Sequence, residues 1–277
     1  VRQYQVKTIA ALERGLRVLR TLQEMRAASL HDLHLATGIP KATLTRILHT
    51  CHREGLVWQR LADGAFLPSV SHHWRAPQDH SEWLAEIASP VMEELCERVM
   101  WPSVLTVPRL DYMETIDTNS PKAYFDEVVP VAPVGFRSHV LLGASGRAYL
   151  SYCPDREREA VLRRLREHDA PGNEYAHDTE WVRRLIQTTR SRGYSTRAPE
   201  YDVDGRTSIA VPIRLDAEVL GCVNLTWRKT VMTAQEAARR YLADLRTAAQ
   251  RIESEAARAG LQPGLSTPPG SPVDAQP

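Results

Sequence analysis

Cysteine is scarce in this chain. Cys51, Cys96, Cys153 and Cys222 lie far apart and no two form a CxxC pair, which argues against a zinc ribbon and against a disulfide framework and leaves reduced, mostly buried thiols. Long apolar runs are also missing. No stretch approaches the roughly 18 uncharged apolar residues that span a bilayer, and the opening VRQYQVKTIAALERG has no apolar signal core, so a cytoplasmic protein without a membrane partner is expected. A strong net charge is absent too, with 35 basic residues against 34 acidic ones.

That balance hides an asymmetry. Residues 1–70 carry ten Lys and Arg against five Asp and Glu, while the rest of the chain is slightly acidic. A small basic domain joined to a larger acidic one predicts that only the first meets a polyanion. A length of 277 residues, 43% hydrophobic and 25% charged, accommodates two globular domains with separate cores.

The basic segment reads as three helices and a hairpin. Leu12, Leu16, Leu19 and Leu22 recur at helical spacing with Arg14, Arg17 and Arg20 between them, predicting an amphipathic first helix. Ser29 and Asp32 have capping-box spacing before a short second helix, which Leu30, Leu33 and Ala36 are expected to bury and Gly38 to end. Pro40 suits the first position of a third helix, because proline has no amide hydrogen to lose there. Its core side is Leu44, Ile47, Leu48 and Cys51, and Gly55 is its stop. Apolar triplets at 56–58 and 65–67 flank Asp63-Gly64, a hairpin turn signal. Together these spell a winged helix-turn-helix, with a three-helix structural module as the alternative.

On the third helix Ala42, Arg46, His49 and Arg53 project outward with Thr43 and Thr45 on the flanks. Lys41, Thr43, Thr45 and Arg46 sit where the first turns of a recognition helix meet DNA. Arginine can bond guanine through two hydrogen bonds, threonine reaches a phosphate or a thymine methyl, and lysine neutralises backbone charge. Arg53 and Arg60 suit phosphate clamping. His31, His34, His49 and His52 lie near Cys51, yet they fall on two helices without the spacing of a zinc module, so no metal or other cofactor is expected.

Ser81–Arg98 is amphipathic, with Trp83, Leu84, Ile87, Val91 and Leu95 apolar, and Pro90 is expected to break or kink it. Its apolar surface is too large for a free linker, which predicts packing between domains and between subunits. Beyond it, strands at 103–107 and 112–116 bracket a turn near Asp111, and helices are expected at 144–150, 155–166 and 179–191. Strands at 208–215 and 220–227 flank the turn Asp216-Ala-Glu218. Thr233 and Glu236 open a last helix running to about Ala257. The fold class is α+β with a largely antiparallel sheet. Domain boundaries are expected at 1–70, 71–98 for the linker and interdomain helix, and 99–259, followed by a Pro, Gly and Ser-rich disordered tail at 260–277.

Four blocks in order resemble the IclR family of transcription regulators: TGIPKATLTRILHTCHREGLV at 37–57, VLLGASGRAYLSY at 140–152, RGYS at 192–195 and SIAVPIRLDAEVLGCVNL at 208–225. Within the family, WPS at 101–103 with SIAVP and GCVNL is similar to activators of hydroxyphenylpropionate and related aromatic-acid catabolism. The resemblance implies a winged helix, a linker helix and a GAF-like sensor domain, assembled as a homodimer or a dimer of dimers. It implies double-stranded operator DNA and a small organic acid as partners, with RNA polymerase as a possible third. Ala144, Ser145, Ser208, Asn224 and Thr226 match the family's ligand-cavity positions, where small and polar side chains leave room and orient a ligand. Asn224 and Thr226 alternate along a strand and can equally satisfy one another. Four positions after Gly193, where the family often has an acid, this chain has Arg197, whose guanidinium can hold a carboxylate or pair with Glu200.

Two other classes compete with a ligand-responsive regulator. A small-molecule hydrolase would use Ser145, but GASGR lacks the final glycine of a GxSxG elbow and the lysine of a phosphate loop, so no enzyme activity is expected. A DNA-binding protein without a ligand would show no thermal shift with any small acid.

Overall fold

The computed structural model describes residues 9–69, 80–120, 132–201 and 205–260. The chain divides into two compact units, at 1–77 and 78–277.

In the first unit the helices α1 (Ala10–Met25), α2 (Leu30–Thr37) and α3 (Lys41–Arg53) precede a two-stranded antiparallel wing of β1 (Val57–Gln59) and β2 (Phe66–Pro68). Ser29 caps α2 as its spacing predicts. Its hydroxyl accepts from the Asp32 amide at 3.1 Å while Asp32 Oδ2 accepts from the Ser29 hydroxyl at 2.7 Å and from the Ser29 amide at 3.0 Å, and the two bonds to Oδ2 hold the Asp32 carboxyl below its usual range. Gly38 ends the helix at φ +67°, a left-handed geometry that glycine adopts without strain.

The core of this unit is Val18, Leu22, Leu33, Ile39, Leu44, Leu48, Cys51 and Val57, and it corrects the expected faces. Leu12 and Leu16 are 57% and 46% exposed, because the first half of α1 runs past the core that Val18 and Leu22 enter. Ala36 is also exposed, since α2 is only two turns long and touches the core through Leu33. Pro40 occupies the cap position, with Lys41 as the first helical residue.

The second unit opens with α4 (His80–Val99), which runs unbroken through Pro90. Pro90 lies on the exposed side of the helix, where water reaches the backbone and the missing amide hydrogen costs least. Much of the apolar face of α4 is buried inside this unit. Leu84, Ala88, Met92 and Leu95 are buried, and α4 packs on α8 (Ala234–Arg258) and on the sheet. The capping box of Thr233 and Glu236 opens α8 as predicted.

The sheet has six antiparallel strands in the order β5 (Arg137–His139), β4 (Tyr112–Thr118), β3 (Ser103–Pro108), β8 (Glu218–Arg228), β7 (Arg206–Leu215), β6 (Ser195–Thr196). Side chains alternate across it. One face of β8, at Gly221, approaches Leu84 of α4. The other face, with Cys222 of β8 and Ala210 of β7, shares a core with Tyr149 and Leu150 of α5 (Ala144–Tyr152), with Val161 and Leu165 of α6 (Asp155–Glu167), and with Val182 and Leu185 of α7 (Thr179–Arg192). β5, β6 and a 3-10 turn at Asn173–His177 are additions to the expected elements. All four cysteines are buried free thiols. Of the tail expected at 260–277, residues 261–277 lie outside the described residues, as do 70–79 of the expected linker. Among the described residues no helix is long and apolar enough to cross a membrane.

Candidate functional site

The first candidate surface is the outer row of α3. The turn before it is built by local bonds: Thr37 Oγ1 donates to Leu33 O at 2.6 Å, and His34 Nδ1 lies 2.8 Å from Ile39 O. Lys41, Ala42, Thr45, Arg46, His49 and Arg53 are all exposed and Thr43 is half-buried. Thr45 Oγ1 donates back to Lys41 O at 3.0 Å, so its methyl rather than its proton faces outward. The structure thus brings the predicted side chains onto one helix, with basic residues at both ends. Arg60 is placed differently. Its guanidinium grips Asp63 at 3.1 and 2.5 Å, Asp63 Oδ1 accepts from the Ala65 amide at 3.0 Å, and Gln59 Nε2 donates to Gly64 O at 2.7 Å. These bonds lock the wing turn. His52, next to Cys51, is similarly occupied, with its Nδ1 at 3.1 Å from Val57 O, and no cluster of three metal-ligating side chains occurs among the described residues.

The second candidate is a cavity of about 230 Å³ in the C-terminal unit. All six predicted residues, Ala144, Ser145, Arg197, Ser208, Asn224 and Thr226, line it. The register explains the convergence. Ser208 pairs with Thr226 and Ala210 with Asn224 across β7 and β8, which aligns three polar side chains on the face that α5 covers, and the N-terminal turn of α5 adds Ala144 and Ser145. The turn fits because residue 146 is glycine: a Cβ there would lie 2.4 Å from the Val140 backbone.

The polar residues form one chain of hydrogen bonds. Asn224 Nδ2 donates to Ser145 Oγ, Thr226 Oγ1 donates to Asn224 Oδ1, and Ser208 Oγ lies against Thr226 Oγ1, each at 2.9 Å. Thr226 spends its proton on Asn224, so Ser208 donates to Thr226. Ser145, having accepted, keeps its own proton to donate into the cavity. Asn224 and Thr226 therefore do satisfy one another, and they line the cavity as well. Apolar lining comes from Val104, the cross-strand partner of Asn224 on β3, and from Pro133 and Phe136.

Of the two arginines among the described lining residues, Arg197 is carried on an irregular segment. Arg197 follows β6 directly, and its guanidinium carbon lies 5.7 Å from the centre of the Tyr201 ring, within cation–π range. Tyr201 in turn faces His139, with ring centres 6.5 Å apart. His139 Nδ1 accepts from the Leu141 amide at 3.0 Å and Nε2 donates to Asn173 Oδ1 at 2.9 Å, which is the neutral tautomer, and burial depresses its pKa. Beneath the floor, Cys222 Sγ donates to Ser145 O at 3.3 Å, and burial pushes this thiol above its ordinary range.

Sequence reasoning missed several lining residues: Thr106, Thr115, Phe136, Tyr201 and Arg206. Arg206 was within reach of a period-two reading, since it stands two residues before Ser208 on the same strand face. Phe136 and Tyr201 lie in irregular segments and carry no such signal. Among the described lining residues there is no His, Asp or Glu to act as a base for Ser145.

The profile of the IclR helix-turn-helix domain matches residues 11–61, and that of the bacterial transcriptional regulator IclR C-terminal domain matches residues 80–254. The HTH-type transcriptional regulator KipR of Bacillus subtilis (strain 168) is 26% identical over 207 residues, which is 72% of this chain and 78% of KipR. Among solved structures, IclR of Thermotoga maritima is similar over 88% of this chain and 97% of its own, with a TM-score of 0.53 at 16% identity. An IclR homolog from Microbacterium hydrocarbonoxydans, complexed with 4-hydroxybenzoate, is similar over 90% of this chain and all of its own, with a TM-score of 0.51 at 25% identity. The C-terminal match alone covers more than half of the sequence, and the two matches follow the order of the two units, so the chain belongs to the IclR family of bacterial transcriptional regulators, a family of DNA-binding, ligand-responsive proteins and not of enzymes.

Proposed function

We propose that this protein is a cytoplasmic regulator of a catabolic operon whose C-terminal cavity takes a small aromatic carboxylic acid. The observation that carries the reading is the cavity itself, whose lining combines a row of hydroxyl and amide groups, the apolar side chains of Val104, Pro133 and Phe136, and the guanidinium of Arg197. An apolar cavity of about 150 Å³ admits benzene, so about 230 Å³ holds one ring with its substituents. The relative complexed with 4-hydroxybenzoate supports the same ligand class. Arg197 holds the carboxylate through paired hydrogen bonds, and Ser145, Ser208 and Asn224 orient the ring substituent.

The DNA-binding half of the reading assigns Arg46, Thr43 and Thr45 to base edges or nearby phosphates, and Lys41, His49 and Arg53 to the backbone, with Ala42 allowing close approach. Arg60 reaches a phosphate only by exchanging Asp63, so its main role here is to shape the wing. The active species is a homodimer or a dimer of dimers on operator DNA, with RNA polymerase as a further partner. Calorimetric titration with 4-hydroxybenzoate and with 4-hydroxybenzamide tests the ligand class. The acid is expected to bind at least tenfold more tightly, and binding of neither compound refutes the reading.

A further inference from the structure

Arg197 stands just past the last ladder pair of a two-residue strand, Thr196 with Ile209. Its backbone position is set by what holds the residues on either side of it. Three bonds do this, and all end at the start of α5 or the loop before it. Ser195 Oγ donates to Ala144 O at 2.6 Å, the Ala198 amide donates to Leu142 O at 2.8 Å, and Arg147 Nη1 donates to Thr196 O at 3.0 Å. The bonds through Thr196 and Ala198 flank Arg197 directly. Of that pair only the one from Arg147 runs through a side chain.

Arg147 does not line the cavity. It leaves α5 two residues after Ser145 and crosses toward α7, where its guanidinium carbon lies 5.9 Å from the centre of the Trp181 ring. That ring is fixed by stacking on Tyr175 at 4.8 Å. Arg147 Nε is sealed from solvent with no hydrogen-bond partner, and burial lowers the guanidinium's pKa against the opposing pull of Glu200. Desolvating a cation and leaving one of its donors unmet costs stability, and an apolar side chain of similar volume is often neutral or better at such a place. The arginine is therefore poorly explained by stability and well explained by the geometry it imposes on Thr196.

We infer that Arg147 is a positioning residue for the effector site: by holding the Thr196 carbonyl it sets where Arg197 presents its guanidinium, and so sets the preference for an acid over its neutral analogue. The inference rests on the reading of Arg197 as the carboxylate receptor. Full-length wild type, Arg147→Met, Arg147→Lys, Arg197→Gln and the Arg147→Met/Arg197→Gln double variant are titrated with 4-hydroxybenzoate and 4-hydroxybenzamide, with Tm recorded for each. Arg147→Met is expected to weaken acid binding at least tenfold, to leave amide binding within twofold, and to keep or raise Tm. Arg147→Lys, which retains a donor and the charge, recovers part of the loss. In the Arg197→Gln background, Arg147→Met has no further effect, because both changes act through one group. Acid binding at the wild-type level in Arg147→Met, equal losses for acid and amide, or losses that add in the double variant overturn the inference. If Arg147→Met fails to fold, an unchanged acid-to-amide ratio in Arg147→Lys overturns it as well. A wild type that does not prefer the acid, or Arg197→Gln that binds it normally, refutes the underlying reading of the cavity instead.

Discussion

Asn224→Asp probes the cavity floor with one exchanged atom. The amide nitrogen that donates to Ser145 Oγ at 2.9 Å becomes a carboxylate oxygen, so Ser145 must turn its proton inward to meet it, and the cavity loses that donor. A negative charge is also added beside the ligand. Two like charges about 5 Å apart at an effective dielectric of about 20 repel by roughly 3 kcal/mol, which corresponds to about a hundredfold loss in affinity for an anion. The neutral amide of the same acid escapes the Coulomb part. Asn224 is buried, and burial raises a carboxyl's pKa. The new carboxyl is therefore neutralised on acidification from pH 8 toward pH 5.5, and acid binding recovers in that direction. For folding the sign is the same: a folded pKa above the unfolded one gives stability that is present at low pH and lost as pH rises through the folded value. Calorimetry with 4-hydroxybenzoate and 4-hydroxybenzamide at both pH values reads all of this. Acid affinity unchanged at pH 8, or acid and amide weakened equally, would show that Asn224 meets no anion.

Other perturbations separate the parts of the account. Gly146→Ala sets a methyl 2.4 Å from the Val140 backbone, which cannot yield like a side chain, so a loss of about 3 kcal/mol and a Tm lowered by roughly 6–12 °C are expected in thermal melts; a wild-type Tm would mean that α5 is not seated on residue 140. Glu157 accepts from Tyr149 Oη at 2.6 Å in a setting where burial raises its pKa. Because the folded pKa is raised, the charged form is disfavoured above it, so Glu157→Gln should raise Tm at pH 8 and lose that advantage as pH falls below the ordinary carboxylate range; the same Tm difference at both ends contradicts the sign. Arg46→Ala should cost about 1–3 kcal/mol at one operator position in a panel of single-base variants, and a uniform loss across the panel would make Arg46 a backbone contact.

Much of this architecture is legible in the sequence because its signals are local. The capping boxes at Ser29 and Thr233, the glycine stop at Gly38 and the hairpin turn at Asp63-Gly64 each depend on residues within four positions of one another. Faces were harder. Leu12 and Leu16 have helical spacing, but whether a helix overshoots its core depends on the length of the elements beneath it, which α1 alone does not reveal. Pro90 breaks a local rule that tertiary packing overrides: α4 is held along its length by α8 and the sheet, and the proline faces water. Convergence of Ser145, Ser208, Asn224 and Thr226 was available from resemblance, whereas the bonds among them needed the strand register. Arg60 shows a further limit, since its charge is visible in the sequence whereas its ion pair with Asp63, three residues away, needs the wing turn to be placed.

A ligand-responsive regulator requires coupling between its cavity and its DNA-binding unit. The most direct measurement is the affinity of the full-length protein for a DNA fragment from upstream of its own gene, with and without saturating 4-hydroxybenzoate, at fixed salt. The prediction is a shift of about 5-fold to 150-fold, the usual span of allosteric coupling, that disappears in Arg197→Gln. Identical DNA affinity in the presence of acid that calorimetry shows to be bound would contradict it.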